Sequence, residues 1–125
     1  MAPISVTLTR RDPPAAVVAL VGEHDAYSSQ RLESELSVLL DAGRHVVVDL
    51  RDTAFIDSTT LSVLLVAQKQ ARAARRGFAL VLGARDYSQV HQILELTGLG
   101  RSFAIYPKLD DALAAVRNGF ADVAA

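Results

Sequence analysis

Val46-Val47-Val48-Asp49-Leu50, followed shortly by Phe55-Ile56-Asp57-Ser58-Thr59-Thr60-Leu61, is the stretch whose reading decides the fold. Its first part is β-branched and apolar, as a strand buried in a parallel sheet should be. Beyond the polar turn, Leu61, Leu64, Leu65 and Val66 open a helical stripe that runs out in Arg72, Arg75, Arg76 and Gly77. Strand, polar turn and amphipathic helix are the first half of a βαβ unit. Ser58 sits at the mouth of that helix, among N–H groups without an intrahelical partner and in a field that favours anions. A phosphate added there should spare the fold and change what the surface binds.

Outward from this segment the same grammar repeats. Ile4, Val6 and Leu8 alternate with Ser5, Thr7 and Thr9, the period of a half-wet strand at a sheet edge. Arg11-Asp12-Pro13-Pro14 is a turn, and Ala16 to Val21 a second strand ending at Gly22. The link is too short for a crossover helix, so these two strands are expected to be antiparallel. Leu32, Leu36, Leu39 and Leu40 mark the buried face of the first helix, closed by Gly43. Strand three is expected at His45 to Leu50, and helix two from Ser58 to about Arg76. Phe78 to Leu82 reads as strand four, Ser88 to Thr97 as helix three with Gly98 as its stop, Ala104 to Tyr106 as strand five, and Leu109 to about Asn118 as the last helix. The order β-β-α-β-α-β-α-β-α predicts an α/β domain: a mostly parallel five-stranded sheet, an N-terminal antiparallel edge strand and four helices. One domain is expected over 1–118, with a short tail at 119–125.

Composition narrows the function classes. The chain has 125 residues, a formal charge of −1 and no cysteine. A pI near 6.3 argues against direct nucleic-acid binding, which usually shows as a basic stripe. Cysteine chemistry is excluded, and an intracellular, cytoplasmic place fits. The N-terminal stretch has no apolar signal core, and no apolar run approaches the roughly 20 residues of a membrane helix, so no membrane insertion is expected.

Catalytic constellations fail on inspection. Around Ser58 the glycines of a nucleophile elbow are replaced by Ile56 and Thr60, and β-branched residues would crowd that strained turn. Neither glycine-rich phosphate-binding motif occurs. Glu23-His24-Asp25 are adjacent and cannot readily converge on one metal ion, while His45 and His91 read as surface or packing residues. Val46 to Arg51 and Tyr106-Pro107-Lys108 echo a response-regulator receiver domain, but strand one leads directly into strand two and no acidic pair follows it. The chain reads as a non-enzyme without cofactor or metal.

Asp57, Ser58 and Thr59 can each start a helix, and one cap needs only one of them. Four polar residues in a row, Asp57 to Thr60, exceed that need, and they lie at the carboxyl end of a parallel strand, where open α/β sheets place their sites. If strand two is parallel to strand three, Asp25 lies on the same rim, next to Ser58.

Gly22-Glu23-His24-Asp25, Val47-Val48-Asp49-Leu50, Phe55-Ile56-Asp57-Ser58-Thr59 and Leu96-Thr97-Gly98-Leu99 come in the order seen in STAS domains. The chain resembles the bacterial anti-sigma factor antagonists in particular, over about Ile4 to Val116. The resemblance implies that Ser58 is phosphorylated by a partner that is both a serine kinase of the histidine-kinase-like ATPase type and an anti-sigma factor. The unphosphorylated form would bind that partner and free sigma, and a serine phosphatase would reset the switch. Asp25, Asp57, Ser58, Thr59, Thr60 and Ser62 are the expected partner-binding residues. Thr60 and Ser62 stand where the family often has Gly. For that reason a scaffold module of a stress-signalling or transport complex, without phosphorylation, is the alternative reading.

Overall fold

The computed structural model describes residues 3–10, 13–83 and 88–118. The tail expected at 119–125, and Arg11-Asp12 of the first turn, lie outside the described residues. In chain order the elements are β1 (Ile4–Leu8), β2 (Ala15–His24), α1 (Ala26–Asp41), β3 (His45–Ile56), α2 (Ser58–Ala73) and β4 (Phe78–Val81), then α3 (Gln89–Thr97), a 3-10 turn (Leu99–Ser102), β5 (Ala104–Tyr106) and α4 (Leu109–Arg117). The sheet order is β1-β2-β3-β4-β5, with β1 antiparallel to β2 and all other pairs parallel.

Because successive strands are neighbours, the crossovers through α1, α2 and α3 stack their helices on one face of the sheet. Val46, Val48 and Leu50 point to that face and join Leu32, Leu36, Leu61, Leu64, Ala67, Val90 and Leu94 in the main core. Val47, Ala79 and Val81 point the other way, onto Ala112, Ala115 and Val116 of α4. The unbroken valine run of β3 is thus explained by burial on both faces.

Two strands outrun the sequence reading. β3 continues past Leu50 to Ile56, and β2 past Gly22 to His24. Apolar periodicity could not follow them, because the β2–β3 ladder contains two bulges. Its register jumps from Ala19↔Asp49 to Val21↔Asp52, and again from Gly22↔Thr53 to Glu23↔Phe55. Each jump spends one extra β3 residue and turns alternation over. Side chains stabilise the distorted stretch: the Arg51 guanidinium grips Asp49 at 2.9 and 2.7 Å, and the Thr53 hydroxyl donates to the Leu20 carbonyl at 2.9 Å.

α2 ends at Ala73, short of the expected Arg76. Arg75 takes a left-handed conformation (φ 58°), which breaks the helix. Gly77 serves a different purpose from a stop signal. A Cβ on it would lie 2.5 Å from the Val116 carbonyl oxygen, so only glycine lets α4 approach this closely.

Candidate functional site

β2 and β3 end side by side, with His24 opposite Ile56 and the Asp57 amide donating to the His24 carbonyl at 3.1 Å. The next residues, Asp25 and Asp57, are therefore neighbours on the rim, and each is the N-cap of the helix that follows. The expected adjacency of Asp25 to the Ser58 segment follows from this parallel pairing.

Asp25 accepts from the Tyr27 amide at 2.9 Å and the Ser28 amide at 3.3 Å, and Ser28 Oγ completes a capping box by accepting from the Asp25 amide. Asp57 accepts from the Thr60 amide at 2.8 Å. That hydrogen bond is the main influence drawing the Asp57 carboxyl below its ordinary range. Partial desolvation works against it, and the amides of Thr59 and of Ala26, at the mouth of α1, assist it.

With Asp57 as the cap, Ser58 is released from that duty. It is the first residue of α2 and is exposed, as is Thr59. Ser62 is exposed one turn on, and its hydroxyl donates to the Ser58 carbonyl at 2.9 Å. Ser58, Ser62, Val66 and Gln70 recur every four residues and are all exposed, so they form one ridge along α2. Beside it runs a narrow groove against α1, lined by Glu33, Ser37, Val63 and Val66.

Thr60 requires a correction. Expected at the partner-binding surface, it is fully buried, because the third position of α2 turns inward beneath the rim. Its hydroxyl makes no hydrogen bond of acceptable geometry, although it lies close enough to the Asp57 carboxylate to favour the ionised form. The methyl and hydroxyl that differ from glycine therefore do not stand between Ser58 and a visitor.

Sequence reading passed over two rim residues. Tyr27 is 96% exposed, the most exposed of the large apolar side chains among the described residues, and Phe55 is 40% exposed just before the turn. Tyr27 precedes Leu32 by five residues, about 140° round the helix from the buried stripe. That offset was the available signal. Gln89 was also missed: its side-chain amide bonds both backbone groups of Ile56 at 2.9 Å.

His24 is buried with both ring nitrogens engaged, Nε2 with the Val21 carbonyl and Nδ1 with the Ser28 hydroxyl, each at 3.1 Å. It does not turn toward Glu23 and Asp25. Among the described residues no group of three His, Cys, Asp or Glu side chains could hold a metal ion, and no helix is long and apolar enough to cross a membrane. A cavity of about 620 Å³ opens between α3 and β5, lined by Leu82, His91, Leu94 and Arg101 among others. No residue of the Ser58 rim lines it.

Residues 7–112 match the STAS domain family. Anti-sigma-F factor antagonist RsfB of Mycobacterium tuberculosis is 29% identical over 123 residues, covering 97% of this chain and 98% of RsfB. A crystal structure of an anti-sigma factor antagonist from Mycobacterium paratuberculosis superposes with a TM-score of 0.73 at 32% identity, covering 93% of this chain and 97% of that one. The phosphorylated form of the Bacillus cell fate determinant SpoIIAA superposes with a TM-score of 0.67 at 17% identity over 90% of this chain and 100% of that one, a likeness of fold.

Proposed function

Given that the chain belongs to the STAS domain family, of the anti-sigma factor antagonist type, we propose that it is a cytoplasmic partner switch whose gate is the Ser58 hydroxyl. Unphosphorylated, it binds an anti-sigma factor with serine kinase activity and so frees a sigma factor. Phosphorylated on Ser58, it lets go, and a serine phosphatase restores it. The chain is the substrate in this cycle and not the enzyme.

The observation that carries the reading is the division of labour at the start of α2. Asp57 caps the helix, so Ser58 is exposed with no cap to lose. A phosphoserine carries about −1.5 to −2 charges. At the first helical position the dipole returns roughly 0.3–1 kcal/mol to it. A partner carboxylate facing it is penalised: one unit-charge pair at about 5 Å and an effective dielectric near 20 costs about 3 kcal/mol. That corresponds to roughly a hundredfold in affinity. Electrostatic exclusion is sufficient, and a large rearrangement is not required. The docking surface comprises Asp25, Asp57, Ser58, Thr59 and Ser62, extended along the ridge to Val66 and flanked by Tyr27.

The test compares Ser58→Ala and Ser58→Asp for binding to the anti-sigma factor by calorimetry, beside mass spectrometry of the unmodified chain after incubation with the kinase and ATP. Ser58→Ala should bind as the unphosphorylated chain does, and Ser58→Asp at least tenfold more weakly. Equal affinities, or a phosphate on another residue, would refute the assignment. Binding without any phosphorylation would favour the scaffold alternative.

A further inference from the structure

Ile56 is the last residue of β3, buried, and beyond the part of β3 that β4 accompanies, since that ladder ends at Asp49↔Val81. In an extended strand the N–H and C=O of one residue point to the same side. For Ile56 that side faces away from β2, because on the β2 side it is the Asp57 amide that bonds the His24 carbonyl. With no strand on that side among the described residues, both backbone groups would be buried without partners. Gln89 takes the strand's place. Its Oε1 accepts from the Ile56 amide and its Nε2 donates to the Ile56 carbonyl, both at 2.9 Å.

The consequence reaches the switch through one planar unit. The Ile56 carbonyl and the Asp57 amide belong to the same peptide, whose six atoms are coplanar. Gln89 holds its oxygen from one side and the His24 carbonyl holds its N–H from the other. Its plane is therefore fixed, and with it the direction in which Asp57 and Ser58 leave the strand. Gln89 itself is anchored as the first residue of α3. Ser88 caps that helix by accepting from the His91 amide, and Val90 and Leu94 are buried in the main core.

We propose that Gln89 is the positioning residue of the phosphoacceptor: by clamping the Ile56–Asp57 peptide from α3, it holds the Ser58 hydroxyl where a kinase can align it with the phosphoryl donor. This rests on Ser58 being the acceptor. Phosphoryl transfer depends on alignment, and a misplacement of about 1 Å can cost on the order of a hundredfold in rate. Gln89 lies outside the ridge a partner would touch, and Ser62 and Val66 keep their places along α2, so loosening the clamp impairs transfer far more than docking.

The test uses Gln89→Met, which keeps the length and removes both hydrogen bonds, and Gln89→Glu, which keeps an acceptor for the Ile56 amide but sets an oxygen against the Ile56 carbonyl. Steady-state phosphorylation by the kinase that modifies the unaltered chain should show kcat lowered at least tenfold for both, with KM for the protein changed less than threefold. Amide exchange by NMR, which needs no kinase, should be at least tenfold faster at Ile56 in Gln89→Met and at Asp57 in both variants, while core amides of β3 such as Val47 keep their protection. Unchanged kcat, a loss confined to KM, unchanged exchange at Ile56 and Asp57, or exchange accelerated throughout the core would each overturn the assignment to Gln89. An unaltered chain that acquires no phosphate on Ser58 would instead overturn the reading beneath it, and the proposal with it.

Discussion

Thr60 and Ser58 lie two positions apart and meet opposite fates, one fully buried and one exposed. The sequence showed four polar residues in a row but not which of them the helix would turn inward, because the register of α2 on the sheet is fixed by Leu61 and Leu64 packing into the main core. Charge and hydroxyl content were legible; the burial of Thr60 was a tertiary result. It leads to a prediction, since a buried hydroxyl without a hydrogen bond costs on the order of 1 kcal/mol. Thr60→Val, nearly the same shape, should raise stability by up to about 1 kcal/mol, a gain of roughly 4 °C in melting temperature. Calorimetric melting measures it, and destabilisation by more than about 1 kcal/mol would show that the hydroxyl is needed by the Asp57 cap. Gln89 was illegible for a related reason. A glutamine at the start of a helix is unremarkable in sequence, and its value appears only beside Ile56, where no strand among the described residues takes up the two backbone groups.

At the scale of elements, strand order and direction were legible because connection lengths dictate them, and the two bulges were not, because they invert the very alternation by which a strand is recognised. Gly77 carries the clearest element-scale prediction. It was read as the end of a helical stripe, but it permits α4 to touch the start of β4, and a methyl there would meet the Val116 backbone at 2.5–2.7 Å. Gly77→Ala should cost about 2–3 kcal/mol through overpacking, read from the denaturant midpoint at an unchanged slope. A cost below about 0.5 kcal/mol would mean that α4 can shift freely.

The same junction holds His45, whose Nδ1 accepts from the Gly77 amide at 2.8 Å and ties β3 to the link before β4. Burial, then the positive charges of Arg76 and Arg117, hold this imidazole below the usual value of 6.5. The unfolded chain therefore binds a proton more readily, so this contribution is complete above about pH 6.5 and is lost as pH falls through the folded value. His45→Gln, which keeps an acceptor and cannot be protonated, should flatten the decline of stability just below pH 6.5. The decline caused by Asp57, whose carboxyl is drawn down, lies at lower pH and should remain. Melting curves of both proteins between about pH 5 and 8 provide the comparison, and parallel declines would exclude His45 as the cause.

Across the whole molecule, the arrangement separates what keeps the chain folded from what makes it bind. The core lies on the two faces of the sheet, while the Ser58 ridge stands at the rim and contributes little to either layer. Charge added at Ser58 meets two opposing influences within the molecule itself. The opening of α2 attracts it by roughly 0.3–1 kcal/mol, and the neighbouring Asp57 and Asp25 carboxylates repel it by amounts that solvent screens to a similar size. These nearly cancel, whereas a docked partner excludes the water that does the screening and leaves repulsion to dominate. Ser58→Asp should therefore melt within about 4 °C of the unmodified chain, a shift of no more than about 1 kcal/mol, while losing at least tenfold in affinity for the anti-sigma factor. Rising salt should narrow that affinity gap and barely move the melting temperature. A variant that loses binding only in proportion to lost stability would show the opposite coupling, in which the negative charge acts by loosening α2 and not by closing a surface to its partner.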